Sequence, residues 1–435
     1  MKKTLFCVIS VWLIMSTVCS YAQTRFSEFS NQFVKGYKSL KIPGLQLSYA
    51  DNLRAIQSAA NIERQYVFFK GIQKGLNIFK REQLLPAEKT DYDLIGYETA
   101  LNLERLDLEK QWKSSAADSI SQTGLYHLPN GKKWYVYFLK RWVAVNVNPD
   151  SIFEFGLEQV KKVKQHIENI RISSGLSEPA FYKHLEDDSF FITNRAMVQE
   201  RFEKIKQTVA KNLSNVFNVQ QVPALSIEQG RDEAVAQTPG YYNSNTFYYN
   251  YFNKPYNKRQ ADWLFIHEAI PGHHYQSSIA ARVTQSPVQS LFYYLGFSEG
   301  WAAYTEELGR QIGLYQTPYD ELGKWEWDIV RSVRVPLDVA LNYYGWSDEQ
   351  ALAFWKKNIY GQDDIAMREI NRMKRWPAQV VTYKYGAAKI MAWRAILEKQ
   401  EGLQFDIKAF HDKVLNGGSL PFFMIENKLF GKTLQ

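Results

Sequence analysis

Apolar residues recur with the period of an α-helix along most of this 435-residue sequence, above all beyond Asn257. Amphipathic helices must bury one face against other elements, so this pattern predicts a mainly α fold with a few short β-strands. No internal repeat, Pro/Gly/Ser-rich linker or shift in composition divides the chain, so we expect a single large domain over residues 23–435. The predicted helices are 24–40, 52–84, 103–122, 149–172, 194–217, 258–282, 298–312, 319–344, 347–360, 363–375, 377–401, 405–415 and 421–430.

Two segments interrupt the helical pattern. Lys132–Val147 is rich in aromatic and β-branched residues and follows Asn130-Gly131, which predicts a strand or hairpin. Val219–Phe252 contains Pro, Gly, Asn and a tyrosine-rich stretch, which predicts short strands and loops. Residues 241–252 would either supply an edge strand for a peptide or only pack against neighbouring helices.

The N-terminus has the features of a secretory signal peptide over residues 1–22. Two lysines precede an apolar run, Leu5–Val18, which ends in Ser20-Tyr21-Ala22. Lipid attachment at Cys19 is the alternative, disfavoured by Val18 because a small residue is expected there. The run is too short for a mature membrane span. We therefore expect a soluble protein exported to the periplasm.

Cysteine content and charge exclude several classes of protein. Cys7 and Cys19 are the two cysteines of the sequence, and removal of the signal peptide would leave none. Disulfide frameworks, cysteine-type zinc sites, iron–sulfur clusters and thiol nucleophiles are then excluded. The net charge of +8 falls to +6 without the two N-terminal lysines. Such a mild charge does not indicate a nucleic-acid partner.

The main candidate site is the string His267-Glu268-Ala269-Ile270-Pro271-Gly272-His273-His274. In an HExxH motif the two histidines share one helix face and bind one zinc ion, with the glutamate as general base. Here the second histidine comes two residues late, which on an unbroken helix would turn His273 away from His267. Pro and Gly interrupt helices, so a bulge at Pro271-Gly272 would restore His273 to the metal-binding position. His274 remains the alternative ligand, or otherwise a substrate-binding group.

A third ligand is expected because catalytic zinc commonly has three protein ligands and a water. Glu299, in Ser298-Glu299-Gly300-Trp301-Ala302, follows His273 by 26 residues, enough for a loop and an antiparallel helix. Glu306 lies on the same predicted helix face and would be either a carboxylate that orients a ligand histidine or an ordinary surface acid.

The strings HEAIPGHHYQ and SEGWAAYTEEL resemble a large bacterial family catalogued as a domain of unknown function. They are also similar to gluzincin-type metallopeptidases, such as Taq-type carboxypeptidases, oligopeptidases and angiotensin-converting-enzyme-like peptidases. Segments from Gly131 to Val160, around Arg331–Trp346 and around Arg375–Gly386 extend the resemblance over roughly residues 130–400. Asn342 and Ala378 depart from it, because a histidine and a glycine are expected there.

The resemblance implies a helical gluzincin-like fold around a deep channel. It also implies a Zn2+ ion bound by His267, His273 and Glu299, with Glu268 as catalytic base. By its position in its block, and by analogy with the tyrosine of related peptidases, Tyr383 would stabilise the oxyanion, or otherwise be a core tyrosine on a helix. Arg331, Arg334 and Lys384 would bind a substrate carboxylate, although each is also interpretable as an ordinary ion-pair or surface group.

The sequence therefore predicts a secreted zinc metallopeptidase that cleaves short peptides, with carboxypeptidase activity as one mode. A zinc amidohydrolase acting on a non-peptide amide, and a non-catalytic peptide-binding protein that keeps the fold, are the alternatives. A base beside the metal argues against the binding protein. The sequence does not indicate an oligomeric state.

Overall fold

The predicted mainly α fold with a few short strands is confirmed. The computed structural model describes residues 25–113, 120, 123–143, 147–232, 238–251 and 255–431. The signal peptide predicted at residues 1–22, and with it Cys19, lies outside these residues. No described helix is both long enough and apolar enough to cross a membrane.

The helices are labelled α1 to α17 in chain order. The first eight are 25–39, Tyr49–Arg54, Ala59–Leu76, Pro86–Lys113, Gly131–Val143, Pro149–Ser174, Glu178–His184 and Arg195–Asn212. The others are Ala261–Glu268, His273–Ala280, Leu295–Thr305, Pro318–Val339, Asp348–Asn358, Asp363–Arg375, Val381–Glu401, Ile407–Leu415 and Phe422–Phe430.

Among the described residues between α7 and α9 there are five short strands, largely where the sequence predicted them. They are β1 (Phe191–Ile192), β2 (Ser226–Gln229), β3 (Gly240–Asn243), β4 (Thr246–Tyr249) and β5 (Tyr256–Asn257). Strand β4 is central in a three-stranded sheet, parallel to β2 and antiparallel to β3, and β1 pairs with β5 in a separate antiparallel ladder. Tyr241 pairs with Tyr248 in this register and their rings stack 4.7 Å apart, so tyrosines of this segment pack on one another.

Internal contacts divide the chain into two compact units. As far as its residues are described, the first draws on Met1–Gln122, Leu128–Tyr137 and Thr284–Tyr293. Its core is aromatic, with Phe26 packed edge-to-face on Phe79 at 5.2 Å. The second draws on Thr123–His127, Phe138–Val283 and Tyr294–Gln435 and contains every candidate site residue. Whether the two units fold as one domain stays a prediction.

Among the long helices that the structure describes in the second unit, α12 is the most buried. It packs along α6, where Val160 and Val163 meet Ile329 and Val333 in one apolar cluster. It begins with a capping box in which Thr317 and Asp320 bond each other's backbone N–H groups. Because α12 is buried, its charged side chains need partners of opposite charge within the fold.

The strand or hairpin predicted at Lys132–Val147 is wrong, because Gly131–Val143 is helix α5. Trp134, Tyr137 and Phe138 are buried, whereas the less buried side chains recur every three to four residues at 132, 133, 136, 140 and 141. That spacing is helical. The bulky apolar residues concealed it, since β propensity reflects packing more than backbone preference. Residues 144–146 of the predicted segment lie outside the described residues.

Candidate metal centre

The predicted interruption of the helix that carries the candidate metal ligands is present at Pro271-Gly272. Helix α9 ends at Glu268, α10 begins at His273, and the Ile270–Pro271 peptide bond is cis. The N–H of Tyr275 donates to the carbonyl of Ala269 at 3.3 Å, across six residues where a regular helix spans four. The segment therefore absorbs two extra residues, as the sequence predicted.

Close backbone contacts fix the shape of this bulge. A Cβ at Gly272 would lie 1.9 Å from the carbonyl oxygen of His267 and 2.3 Å from that of Ile266, so only glycine fits. From α11, the indole Nε1 of Trp301 donates to the Pro271 carbonyl at 2.9 Å. The bulge thus packs against the preceding turn of α9 and is hydrogen-bonded to α11, the helix that carries Glu299.

Helix α11 places Glu299 beside the two histidines because it can approach α15 closely. Gly300 faces Gly386, and a Cβ on Gly300 would lie 2.6 Å from the Gly386 Cα. A side chain at either position would push the two helices apart. Since Glu299 is next to Gly300 in the chain, this contact sets the position of the carboxylate.

His267, His273 and Glu299 bring three potential ligand atoms together. Nε2 of His267 is 3.7 Å from Oε2 of Glu299, and Nε2 of His273 is 3.4 Å from the same oxygen. All three ligand atoms lie within 4.8 Å of one another. Around a tetrahedral zinc ion with bonds near 2.1 Å, ligand atoms are about 3.4 Å apart. The donor set and its spacing therefore fit a zinc ion.

The buried Glu306 orients His267 from the side opposite the cluster. Its Oε1 is 2.8 Å from Nδ1 of His267, and its Oε2 accepts from Nη1 of Arg331 at 2.7 Å. Nη2 of Arg331, a donor, also lies 3.2 Å from Nδ1, but the contact with Glu306 is shorter. Because a carboxylate is only an acceptor, we assign the imidazole proton to Nδ1, which leaves the Nε2 lone pair directed at the cluster. Arg331 in turn neutralises a carboxylate that is 1% exposed.

The cluster favours a positive charge. Burial lowers the pKa of His267, but hydrogen bonds to Glu299 and Glu306 outweigh it and raise that pKa to about 9. Burial raises the pKa of Glu299, but contacts with His267 and His273 outweigh it and hold that pKa well below its usual range. A divalent cation bound by these three residues would supply the same positive charge in place of the proton.

Glu268 is half-buried at the end of α9, next to His267 in the chain. Within the part of the chain that the structure describes, its carboxylate has neither a hydrogen-bond nor an ion-pair partner. Every other carboxylate at the cluster is engaged. Among the carboxylates at the cluster, Glu268 is thus the one that no described residue engages, which is what the predicted role of general base requires.

His274 points away from the cluster. It is fully buried, with Nε2 3.0 Å from the Pro223 carbonyl and Nδ1 3.2 Å from the Tyr242 hydroxyl. Both ring nitrogens are therefore used within the fold. The structure brings His273 to Glu299 and does not bring His274 there, and the alternative ligand and substrate-binding roles of His274 stay untested predictions.

Tyr383 lies beside the cluster, with its ring 6.3 Å from that of His267 at an interplanar angle of 25°. Its hydroxyl accepts from Arg372 at 3.3 Å and from Gln379 at 3.2 Å. Burial and Glu299 raise its pKa, so the hydroxyl keeps its proton. Both neighbours are donors, which leaves that proton free for a further acceptor, as the predicted oxyanion role requires.

The three cations predicted to bind a substrate carboxylate already have carboxylate partners in the fold. Arg331 pairs with Glu306, Arg334 with Glu369 at 3.1 Å and Lys384 with Asp328 at 2.6 Å. Both arginines are at most 2% exposed. Their predicted binding role remains untested, but these contacts show each of them as one half of an internal ion pair.

Sequence reasoning missed Trp301, Gly300 and Arg372, which position the cluster or line it. Gly300 and Trp301 belong to the SEGWA string, which therefore could have indicated that residues beside Glu299 also shape the cluster. Arg372 had no such signal, because its contact with Tyr383 joins two helices. Asn342, where the family resemblance led us to expect a histidine, has a structural role. Its buried side-chain amide accepts from Leu125 N–H and donates to the Met373 carbonyl, each at 3.1 Å.

Fold and site together define a mainly α-helical protein with a two-histidine, one-carboxylate cluster at an interrupted helix. Residues 106–429 match the family described as "Bacterial protein of unknown function (DUF885)", so the chain belongs to this family. This confirms the predicted membership of a bacterial family of unknown function. No curated protein matches the sequence.

Two solved structures share the fold. The chain is 20% identical to a putative lipoprotein from Colwellia psychrerythraea, with a TM-score of 0.67, over 87% of this chain and 69% of that one. It is 22% identical to a putative lipoprotein of unknown function from Shewanella oneidensis, with a TM-score of 0.57, over 84% of this chain and 72% of that one. At such identities the similarity shows the fold alone.

Proposed function

We propose that this protein is a zinc-dependent hydrolase that cleaves the amide bonds of short peptides. The observation that carries the proposal is the unpartnered Glu268 carboxylate next to the cluster of His267, His273 and Glu299. A site that only bound a metal would need the three ligands but no free base beside them. A site that hydrolyses an amide needs both.

A zinc ion bound by these ligands would polarise the substrate carbonyl and activate a water molecule. Glu268 then accepts a proton from the water and delivers it to the departing amine. Tyr383 donates its free hydroxyl proton to the carbonyl oxygen as negative charge develops there. Glu306 and Arg331 hold His267 in the tautomer that leaves Nε2 available.

The resemblance to gluzincin-type metallopeptidases, together with this donor set, makes peptides the preferred substrate class in the proposal. Carboxypeptidase activity is its more specific form. The proposal also includes export of the protein. The N-terminal sequence has the features of a signal peptide, and both structural relatives are described as putative lipoproteins. The deep channel implied by the resemblance remains a prediction.

The decisive experiment combines metal analysis with a substrate panel. The purified protein should contain close to one equivalent of zinc, and should cleave members of a panel of free and end-blocked di- to pentapeptides. Glu268→Gln should keep the zinc and lower the rate of hydrolysis by a factor of about 100 to 10,000, the range typical of a general base. Glu158→Gln is the matched control, because Glu158 forms an exposed pair with Lys162.

Three outcomes would reject the proposal in different ways. Absence of bound metal would show that the three residues do not form a zinc site. Full activity of the Glu268→Gln protein would remove the assigned base. Metal and peptide binding without hydrolysis by the wild-type protein would instead favour the non-catalytic peptide-binding alternative.

A further inference from the structure

A cluster of arginines lies around one carboxylate near Tyr383. Glu369, in α14, is 3% exposed and faces three guanidinium groups. Arg334 Nη1 is 3.1 Å from its Oε2, Arg368 Nη2 is 3.1 Å from its Oε1, and Arg372 Nη1 is 3.8 Å from its Oε2. Three positive charges therefore share one negative charge, a surplus of two.

Two buried donors in this cluster have no acceptor. The Nε atoms of Arg334 and Arg372 are inaccessible to solvent and lack a hydrogen-bond partner in the described part of the chain. Buried donors in folded proteins are almost always paired, so unpaired ones together with surplus charge indicate a missing anionic partner. Burial lowers the pKa of Arg334 and the charge of Arg372 adds to this, although Glu369 opposes it.

Three other described cations near the candidate metal centre each have a carboxylate of their own, although Nε of Arg331 also lacks an acceptor among the described residues. Lys384, Arg331 and Lys324 each pair with one acid, namely Asp328, Glu306 and Glu307. Among these described groups, the arginines around Glu369 are the cations that share one carboxylate. A substrate carboxylate would find its electrostatic partner there, whereas the predicted groups Arg331 and Lys384 would first have to leave their own partners.

The cluster adjoins the candidate metal centre and is reachable from solvent. Arg372 Nη2 lies 3.3 Å from the Tyr383 hydroxyl, and the Tyr383 ring stacks on that of His267. The side chains of Arg372 and Arg368 are 19% and 28% exposed, against 2% for Arg334. Arg368 also lines a cavity of about 1410 Å³, which the three candidate metal ligands do not line.

We propose that Arg372, with Arg368 beside it, binds the free C-terminal carboxylate of the substrate. The ligand class is therefore a short peptide or an acylated amino acid that ends in a carboxylate. Arg372 offers the carboxylate a charge-assisted donor, while Glu369, Gln379 and the Tyr383 hydroxyl hold its guanidinium in place. This inference rests on the proposed function for the bond that is cleaved, but its binding step does not require turnover.

The test compares acid and amide forms of one ligand. Binding of N-acetyl-trialanine and of its C-terminal amide is measured by calorimetry on the full chain carrying Glu268→Gln, which prevents turnover, with added zinc. The acid should bind at least about tenfold more tightly than the amide, since one charge-assisted pair distinguishes them. Arg372→Gln should abolish the preference, Arg372→Lys should retain part of it, and Arg310→Gln, at an exposed arginine paired with Glu321, should leave it unchanged.

Equal binding of acid and amide by the parent protein, or no detectable binding of either, would overturn the inference. So would an undiminished preference in Arg372→Gln. Should that variant fail to fold by circular dichroism, Arg368→Gln decides instead, because its side chain is more exposed and its loss should weaken the preference. Failure of the wild-type protein to hydrolyse any peptide would reject the proposed function and leave the acid-to-amide comparison to decide this inference by itself.

Discussion

Nδ1 of His267 lies 2.8 Å from Oε1 of Glu306, which places a buried carboxylate behind the candidate metal ligand. Arg331 contacts the other oxygen of the same carboxylate at 2.7 Å. The chain thus carries a relay of guanidinium, carboxylate and imidazole that ends at the cluster. Such outer contacts raise the basicity of a ligand histidine and fix its orientation.

Replacement of Glu306 by Gln should therefore weaken zinc binding by about 10–100-fold, while the three ligands remain. The change removes the carboxylate that holds His267 and leaves Arg331 buried without its counter-charge. Competition with a zinc chelator of known affinity measures the effect. Glu158→Gln, which removes a carboxylate from an exposed pair, should leave the affinity unchanged. A variant with the wild-type zinc affinity would show that Glu306 only neutralises Arg331.

The bulge at Gly272 should not tolerate a side chain. Gly272→Ala would place a methyl group within 2 Å of the His267 carbonyl, so α9 and α10 must separate. We expect loss of zinc binding and a fall in the free energy of unfolding of more than about 2 kcal/mol. Urea unfolding and metal analysis check the two effects.

Gly71 provides the control for this substitution. It lies within α3, and a Cβ there would meet no atom within 4 Å. Gly71→Ala should raise the free energy of unfolding by up to about 1 kcal/mol, because alanine loses less backbone entropy in a helix. If Gly272→Ala proved as benign as Gly71→Ala, the bulge would not depend on the close approach of the two carbonyls.

The sequence predicted the bulge and most helices because their causes are local. Pro271 and Gly272 disfavour a regular helix whatever surrounds them. Helical periodicity likewise reports burial along a single segment. The same reasoning failed for α5, where the bulky side chains that suggested strands pack instead on one face of a helix.

The arrangement around Glu369 lay beyond reach of the sequence because each contact joins separate helices. Arg334 lies in α12, Arg372 in α14 and Tyr383 in α15. A spacing within one helix shows which residues share a face, but it does not show which face of another helix they meet. The groups predicted to bind a substrate carboxylate were accordingly chosen by residue type, because the sequence does not show the acids with which they pair in the fold.

Ala378 occupies a backbone conformation that favours glycine. Its φ is +66°, at the position where the family resemblance led us to expect glycine, and its N–H donates to Asp338 at 2.8 Å. Alanine in this region costs roughly 1–2 kcal/mol, which offsets the gain from burying its methyl group, about 0.8 kcal/mol. Ala378→Gly should therefore leave the free energy of unfolding unchanged or raise it by up to about 1 kcal/mol.

Ala366, equally buried but helical within α14, provides the comparison. Ala366→Gly loses the same methyl group and also costs about 1 kcal/mol of helix propensity, so the protein should lose about 2 kcal/mol. Urea unfolding of both variants measures the difference. Equal destabilisation by the two substitutions would show that the positive φ at Ala378 carries no strain.

His411 is a buried histidine that the fold holds in its neutral form. Nδ1 donates to the Val216 carbonyl at 2.8 Å, and Nε2 accepts from the Tyr304 hydroxyl at 2.8 Å. Burial lowers the pKa of His411 to about 4, and the positive charge of Arg394 adds to this, although Val216 and Asp406 oppose it. The neutral ring is therefore satisfied where it lies, and protonation would place a charge among aromatic side chains.

This lowered pKa predicts a loss of stability in acid. The unfolded chain binds a proton on His411 near pH 6.5 and the folded chain only near pH 4, so between these values the unfolded state holds more protons. The contribution is complete above pH 6.5, declines as the pH falls, and reaches a loss of about 3 kcal/mol near pH 4. His411→Gln removes the titration, so the free energy of unfolding of this variant should fall less between pH 7 and pH 4 than that of the wild-type protein.

Urea unfolding at a series of pH values, at equal zinc content, compares the pH dependence of the two proteins. The contributions of titrating groups that both proteins share cancel in this comparison. Parallel pH profiles would mean that His411 already titrates alike in the folded and unfolded chains, against the burial and the two hydrogen bonds that the structure gives it.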